Sequence, residues 1–437
     1  SVSAQAGPTS YTVGIQIANL DTAESASISN DYYDQNGDVV TSFPAVIGAG
    51  DSETYYPIHP ADGFNGSVVI SSDKEVAAIA NILGDGGSFG GASYDSFGEG
   101  STSANIPLIA KDFYGIYTWF NVQNTGSVDA DVTVTYSGTP APSCTETATI
   151  KPGAAHTFDQ EASSCLQDGF LGAATVTTDA GDQKIAVAVV EYDSKSLLAF
   201  NAFTSVGSTA PVMPLVSHKY YNSRTGIQIM NTGGSSTDVT VTYTPSSGFP
   251  GQTCSQMKTV AAGKSETFGD SVFFEQASLP CGPMSGTNPA NYGFAGSAKV
   301  TSNSASQTLV AIINSVTTGT ADSAAYASFD ASAATDKVNF PLVMDRNFGI
   351  FSGFSVANVG TQPTNIECTY SGSSHVDSQN NLQPGESMTT VQLGQIADGY
   401  SGTANCTATG GDALIVGVLS QLGGQGDKLL YYEGFNY

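Results

Sequence analysis

Internal repetition is the feature that most constrains this chain. An apolar segment that ends in asparagine occurs four times in the 437 residues, at intervals of 105, 107 and 127 residues. The four copies read GIQIAN at 14–19, WFNVQN at 119–124, GIQIMN at 226–231 and GFSVAN at 353–358. Such a recurring pattern indicates that one structural unit is built several times along the chain.

Two further motifs keep the same order in every copy. The first is G-[FY]-x-G, which begins at Gly63, Gly169, Gly293 and Gly399. The second is an aromatic residue that closes each copy, at Phe97, Phe203, Phe329 and Phe435. We therefore predict four tandem domains, at residues 1–101 (with an N-terminal extension at 1–10), 102–208, 209–335 and 336–437.

Within each copy the residue pattern is that of β-strands. The segment DVTVTY at 131–136 recurs unchanged at 238–243, and its alternation of Val and Thr has the period of a half-buried strand. The 49 glycines and 18 prolines favour many turns. Seven or eight strands in about 105 residues match the size of an immunoglobulin-like sandwich. We expect an all-β fold of four tandem immunoglobulin-like β-sandwich domains in a row.

The order of the motifs also resembles a known family. An Asn-x-Gly step follows the first strand, as at Asn124-Thr125-Gly126, and a P-G-x-S turn follows the V-x-V-x-Y strand, as at 384–387. This order resembles the cell-adhesion-related (CARDB-type) immunoglobulin-like domains of bacterial and archaeal cell-surface and extracellular filament proteins. The resemblance implies an exported scaffold or adhesion module without catalytic residues. Copy 1 departs from it at Asn19-Leu20-Asp21.

The six cysteines fall as one pair in each of copies 2, 3 and 4. We predict the disulfides Cys144–Cys165, Cys254–Cys281 and Cys368–Cys406. The first two have equivalent places, whereas both cysteines of the third lie within predicted strands, so we expect that bridge to cross the core. Disulfides indicate an oxidising compartment, hence a secreted or cell-surface protein. The chain begins at Ser1 rather than Met, which favours removal of a signal peptide.

The charge excludes some partners. There are 39 acidic and 13 basic residues, a net charge of −26, so nucleic acid and anionic membranes should be repelled. No apolar run reaches the roughly 18 residues that a transmembrane helix needs, and we expect no membrane span.

Motifs for metal binding and catalysis are weak. Asp34-x-Asn36-x-Asp38 has the oxygen spacing of a calcium loop, but the twelfth position is Ala45. Because Asn-Gly is typical of a hairpin tip, we favour a turn here, with calcium as the alternative. The four histidines are scattered and no G-x-S-x-G motif occurs. We therefore expect a non-enzymatic protein with no cofactor.

Two asparagines lie in glycosylation sequons, Asn65 (Asn-Gly-Ser) and Asn405 (Asn-Cys-Thr). Because Asn405 lies in a predicted strand, Asn65 is the better candidate acceptor.

Copy 1 differs from the others at its start. Copies 2, 3 and 4 each begin with an apolar strand that contains Pro-Leu, at 106–109, 213–216 and 340–343. Copy 1 has no such strand, and residues 1–10 offer only Val2, Ala4 and Ala6 as apolar side chains. We expect an uncovered sheet edge in copy 1, unless residues 1–10 pair within their own domain. Uncovered edges accept strands from other chains.

These features lead to a hypothesis for function. The C-terminus is rich in aromatic residues that would suit subunit contacts, namely Tyr431, Tyr432, Phe435 and Tyr437. We expect a structural subunit of an extracellular filament or cell-surface layer that binds itself head to tail, with domain 4 of one copy on domain 1 of the next. The alternative is a cell-surface adhesin or carbohydrate-binding protein whose partners are surface glycans. The single tryptophan, Trp119, lies in an anchor strand and suits a core better than a sugar platform.

Overall fold

The computed structural model describes residues 7–437 except 205, 277–280, 284–291, 321 and 424–428. Antiparallel sheets make up nearly all of the regular structure in these residues, which confirms the predicted all-β fold. The described α-helical structure is one turn, α1 (Ser271–Phe274), beside short 3-10 turns. We call the four repeated units sandwich 1 to sandwich 4.

The first two sandwiches contain fifteen strands. Sandwich 1 has β1 (Tyr11–Asn19), β2 (Ala26–Asp34), β3 (Val39–Ile47), β4 (Ser52–Tyr55), β5 (Gly66–Ser72), β6 (Val76–Gly84) and β7 (Gly90–Asp95). Sandwich 2 has β8 (Ser103–Lys111), β9 (Tyr117–Asn124), β10 (Ala130–Thr139), β11 (Glu146–Ile150), β12 (Ala155–Asp159), β13 (Phe170–Thr178), β14 (Ile185–Tyr192) and β15 (Leu197–Asn201).

The last two sandwiches add eighteen strands. Sandwich 3 has β16 (Pro211–His218), β17 (Ser223–Asn231), β18 (Thr237–Pro245), β19 (Cys254–Val260), β20 (Ser265–Phe268), β21 (Phe294–Ser302), β22 (Leu309–Thr317), β23 (Ser323–Ala327) and β24 (Phe329–Asp330). Sandwich 4 has β25 (Lys337–Asp345), β26 (Ile350–Asn358), β27 (Thr364–Tyr370), β28 (Val376–Leu382), β29 (Ser387–Val391), β30 (Tyr400–Thr409), β31 (Ile415–Gly423), β32 (Leu429–Glu433) and β33 (Phe435–Asn436).

One sheet order recurs along the chain. Sandwich 2 has the sheets β11-β10-β13-β8 and β12-β9-β14-β15, and sandwiches 3 and 4 repeat both orders. In sandwich 3 a single pair, His218 with Arg224, joins the two sheets. Sandwich 1 has β3-β2-β5 and β4-β1-β6-β7, and its described residues, which begin at Gly7, include no counterpart of β8. We call β8, β16 and β25 the leading strands, and β7, β15, β23 and β32 the closing strands. The domain boundaries themselves stay predictions.

The anchor asparagine has a structural reason. The Nδ2 group of Asn124 donates hydrogen bonds to the carbonyl oxygens of Val128 and Ile150, both at 2.7 Å, and its Oδ1 accepts one from Gly126 N at 2.9 Å. The side chain is fully buried, so these bonds satisfy its polar atoms. The same arrangement ties strand to turn at Asn19, Asn231 and Asn358.

The four sandwiches close into a ring. The closing strands pack in a cycle, β7 on β15, β15 on β23, β23 on β32 and β32 on β7. Each junction also has a hydrogen bond from a hydroxyl to an equivalent glycine carbonyl of the next sandwich: Ser67 to Gly153, Ser137 to Gly263, Ser297 to Gly385 and Thr403 to Gly50. The donor lies on β5, β21 or β30 in three of these bonds and on the neighbouring strand β10 in sandwich 2. The tandem row therefore returns on itself, and sandwich 4 packs against sandwich 1 of the same chain.

All three predicted disulfides are formed. The first two link equivalent places, with Cα–Cα distances of 5.0 and 5.4 Å. The expectation that the third bridge crosses the core is wrong. Cys368 on β27 and Cys406 on β30 are directly opposed on neighbouring strands of one sheet, with Cα atoms 3.9 Å apart. Both positions were read correctly as strand residues, but the sequence did not show that the two strands are adjacent.

Candidate assembly site

The place of a leading strand is vacant in sandwich 1. Strand β5 pairs with β2 on one side and has no strand on the other side among the described residues. Its counterparts β13, β21 and β30 pair on that side with β8, β16 and β25. The predicted uncovered edge is thus present in the described chain, and it exposes unpaired backbone groups that can receive a strand.

The core of sandwich 1 reaches the surface at this vacant position. The core-facing side chains of β5, Val68 and Ile70, are only half-buried. The residues at the equivalent positions of the other sandwiches are completely buried: Ala174, Val176, Ala298, Val300, Ala404 and Cys406. The leading strand therefore covers the core in sandwiches 2, 3 and 4, and nothing described does so in sandwich 1.

Side-chain size also differs at this edge. In sandwiches 2, 3 and 4 a small alanine stands opposite a large residue of the leading strand, in the pairs Ala174–Ile106, Ala298–Met213 and Ala404–Phe340. Sandwich 1 has the larger Val68 at the alanine position. Because cores are packed to a nearly constant density, a strand that enters beside β5 needs smaller side chains than the other leading strands have.

In sandwiches 3 and 4 a tyrosine of the closing strand is hydrogen-bonded to the leading strand. The Tyr326 hydroxyl donates to Leu215 O at 2.6 Å and accepts from Leu215 N at 3.1 Å. Tyr432 makes the same two bonds with Leu342, at 2.7 and 3.1 Å. Sandwich 2 has Phe200 at this position, and sandwich 1 has the half-buried Tyr94. Sandwich 1 thus has the tyrosine, although its described residues include no leading strand to which the hydroxyl could bind.

Sandwich 2 borders the vacant position. Each leading strand also packs on the anchor strand of the next sandwich, as β8 does on β17. At the corresponding place, sandwich 2 has Trp119 where the other anchor strands have Gly14, Gly226 and Gly353. Trp119 is half-buried and packs edge-on against Tyr11, with ring centres 5.9 Å apart. Trp119 therefore belongs to the junction of sandwiches 1 and 2, and not to the core of sandwich 2.

The C-terminal aromatic residues are not an exposed contact surface. Tyr431 and Tyr432 are buried inside the ring and are not exposed in the single chain. Ring closure explains this burial, because β32 packs between β23 and β7. A contact of these two residues with another subunit stays a prediction. Phe435 and Tyr437 are half-buried on their own sandwich, where the Tyr437 hydroxyl donates to Asn405 Oδ1 at 3.2 Å. Val2, Ala4 and Ala6 lie outside the described residues.

The two sequon asparagines have different surroundings. Asn65 is exposed, just before β5. Asn405 is half-buried within β30, and its Oδ1 also accepts a hydrogen bond from Asn339 Nδ2 at 2.8 Å. The geometry favours Asn65 over Asn405, and glycosylation itself stays a prediction.

The calcium-like spacing forms a hairpin turn between β2 and β3. The Asp34 carboxylate accepts hydrogen bonds from the backbone N–H groups of Asp38 and Asn36, at 3.0 and 2.8 Å, and the bond from Asp38 contributes most to lowering its pKa. Gly37 has a φ of 81°, which suits glycine. Over the described part of the chain, no three His, Cys, Asp or Glu side chains come together as a metal ion would require.

Sequence reasoning missed three buried carboxyl groups at contacts between sandwiches. Burial raises the pKa of Glu191 to about 7, and Asn314 Nδ2 of sandwich 3 donates to its Oε2 at 2.7 Å. Both residues line a cavity of about 140 Å³ between sandwiches 2 and 3. The other two are Asp95 and Glu433, at the ends of β7 and β32. No local signal marks these residues, since only the packing between sandwiches buries them.

Comparison with known proteins identifies no family for this chain. No family model matches it, and the search of curated proteins finds no match. The resemblance to cell-adhesion-related modules therefore stays a prediction. None of the helices in the described residues has the length and apolar character to span a bilayer.

Proposed function

We propose that this protein is a structural subunit of an extracellular filament or cell-surface layer, and that sandwich 1 receives a strand from the N-terminal segment of another copy. The observation that carries the proposal is the vacant position beside β5, where Val68 and Ile70 are only partly buried. An added strand would pair its backbone with β5 and cover these side chains. Strand addition of this kind gives affinity through main-chain hydrogen bonds and specificity through alternate side chains.

The N-terminal segment fits the vacant position by size. In an extended segment Val2, Ala4 and Ala6 lie on one face. These side chains are smaller than Ile106, Met213 and Phe340 of the leading strands, and they would face Val68 where the other sandwiches have alanine. The three disulfides suit an oxidising extracellular setting.

A complementation experiment tests this proposal. One variant lacks residues 1–6 and should accept a strand but not donate one. A second variant, Ile70→Lys, should donate but not accept, because a charge now faces the vacant position. Electron microscopy and light scattering should show assemblies for the wild type, none for either variant alone, and dimers for an equimolar mixture.

The matched control is Val46→Lys, which adds the same charge at an exposed position (66% of Val46 is exposed) on β3, the opposite edge of the same sheet. This variant should assemble like the wild type. Assembly by the Ile70→Lys variant, or no dimers in the mixture, would contradict strand exchange; in the latter case residues 1–10 pair within their own sandwich.

A second candidate function is binding of surface glycans as an adhesin. Three aromatic residues at equivalent turns, between the leading and anchor strands, are strongly exposed: Tyr114 at 91%, Tyr221 at 55% and Phe348 at 95%. All three adopt positive φ angles of 54°, 46° and 51°, a conformation that costs energy for bulky residues. Exposed rings of this kind can stack on sugars. A glycan array would support this function if selective binding is lost in the Tyr114→Ala and Phe348→Ala variants.

A further inference from the structure

One of the four junctions in the ring has no covalent linker. Residues 96–102, 202–210 and 328–336 join consecutive sandwiches, whereas sandwich 4 meets sandwich 1 only through the fold. Within the described chain no disulfide crosses this junction. It includes the hydrogen bond from Thr403 Oγ1 to Gly50 O at 3.0 Å, and Ile79 of sandwich 1 packs into the core of sandwich 4. These two faces can separate without breaking the chain.

Two carboxyl groups meet at the centre of this junction. Asp95 ends β7 and Glu433 ends β32, with 8% and 9% of each residue exposed, and the two side chains are hydrogen-bonded to each other. The other closing strands end in Asn201 and Ala327, which carry no charge. Asn201 Nδ2 donates to Asp95 O at 2.9 Å, and Ala327 N donates to the Glu433 carboxylate. The acidic pair is therefore particular to the junction of sandwiches 4 and 1.

No cation balances the pair. Burial raises the pKa of Asp95, and repulsion from Glu433 raises it further; burial also raises the pKa of Glu433. The other titratable groups that face the pair are Tyr326 of β23 and Tyr432 of β32, and burial raises the pKa of both phenols, so they stay neutral. No Lys, Arg or His of the described residues acts on either carboxyl group. A proton shared between the two carboxyl groups would relieve this repulsion in the closed ring.

We propose that the junction of sandwiches 4 and 1 opens when the Asp95–Glu433 pair loses its shared proton, and that the freed faces then bind the matching faces of a second copy. The second copy is the fitting partner because each face already has its complement in the same sequence. An exchanged junction is a head-to-tail contact, which extends into a filament wherever it does not close. The inference rests on the proposed function in that it supplies a switch for self-assembly.

The sign of the pH dependence follows from burial. A carboxyl group whose pKa is higher in the closed ring than in the open one favours the closed ring in acid. This contribution is complete below the ordinary pKa of a carboxyl group, and it is lost as the pH rises through the pKa of the closed pair. Acid should therefore keep the ring closed, and alkali should open it.

The test measures mass by light scattering and radius of gyration by X-ray scattering, on the full chain from pH 4 to pH 9. Relative to its mass in acid, the wild type should gain at least twofold in mass as the pH rises. The double variant Asp95→Asn/Glu433→Gln should keep the mass and radius that it has in acid at every pH. The control Glu191→Gln, a buried carboxyl group at a covalently linked junction, should respond like the wild type.

A cross-linked variant gives a second measurement. A Cβ atom at Gly91 would lie 3.2 Å from Leu430 Cδ2, so Gly91→Cys and Leu430→Cys place two thiols side by side and can be joined by a disulfide across the junction. The joined ring should keep its mass and radius at every pH.

Three results would overturn the inference: a wild type that does not respond to pH, a double variant that responds like the wild type, or growth of the joined ring at high pH. The proposed function is judged separately. Growth of joined rings at high pH that the Ile70→Lys substitution abolishes would preserve strand addition while refuting junction exchange. A rise in mass with pH that persists in the Ile70→Lys variant would support junction exchange and refute strand addition.

Discussion

Sandwich 1 and the other three sandwiches are built to one plan but completed to different degrees. In its described residues sandwich 1 has seven strands, no disulfide and half-buried side chains on β5. Sandwiches 2, 3 and 4 each have a leading strand, a disulfide and fully buried side chains at the same positions. Both versions have the same sheet order. The leading strand is therefore not needed to define the topology, and its role is to cover the core.

The difference is also one of stability. Complete burial of a valine or isoleucine side chain stabilises a fold by about 1.5–3 kcal/mol, and Val68 and Ile70 obtain only part of this. The disulfides also stabilise only sandwiches 2, 3 and 4. Sandwich 1 should thus be the least stable unit, and the one that gains most from an added strand.

The strongest test of this difference in core covering is the same substitution at equivalent positions of sandwiches 1 and 2. Val176→Lys places a charge in the closed core of sandwich 2 and should lower the free energy of unfolding by more than about 4 kcal/mol. Ile70→Lys should cost about 1 kcal/mol or less, since its ammonium group can reach water through the vacant position. Denaturant unfolding measures both. Equal losses would show that the edge of sandwich 1 is covered.

Removal of a disulfide should lower the stability of another sandwich toward that of sandwich 1. We expect Cys368→Ala/Cys406→Ala to lower the stability of sandwich 4 by about 2–5 kcal/mol, because the unfolded chain is no longer cross-linked. Hydrogen exchange should accelerate in β27 and β30 and stay unchanged in β5. Uniform acceleration over all four sandwiches would mean that the ring unfolds as one unit.

A buried carboxyl group at the junction of sandwiches 2 and 3 should make the stability of the fold depend on pH. Sandwich 2 has the buried Glu191 where sandwich 1 has Ile82. Because folding raises the pKa of Glu191 from 4.5 to about 7, its protonation favours the folded state by roughly 3 kcal/mol. This stability is complete below about pH 4.5 and is lost as the pH rises to about 7. Unfolding of Glu191→Gln should show a flatter pH dependence than the wild type, and an unchanged slope would contradict the burial of this group.

The smallest expected difference in stability is between Tyr-to-Phe substitutions at two equivalent tyrosines. Tyr432→Phe leaves the buried backbone N–H and C=O of Leu342 without their partner and should cost about 1–3 kcal/mol. Tyr94→Phe should be close to neutral, since no leading strand is present in sandwich 1. Thermal unfolding of both variants provides the measurement. A large loss for Tyr94→Phe would indicate that a strand already occupies the vacant position.

The sequence by itself determined the repeat, the strands, the cysteine pairs and the absence of an apolar Pro-Leu segment at the start of copy 1. These features are local, since the alternation of Val and Thr at 131–136 or the Asn-x-Gly step after β9 specifies backbone conformation and the apolar face without reference to distant residues. The uncovered edge beside β5 was predictable for the same reason.

Only the tertiary structure decided what those faces pack against. Ring closure buries Tyr431 and Tyr432, brings Asp95 to Glu433 across more than three hundred residues of sequence, and places Trp119 in a junction. Hydrophobic patterning shows which side of a strand avoids water, but apolar burial is not directional. The partner of each surface is therefore fixed by shape and charge complementarity among complete sandwiches, which no local pattern contains.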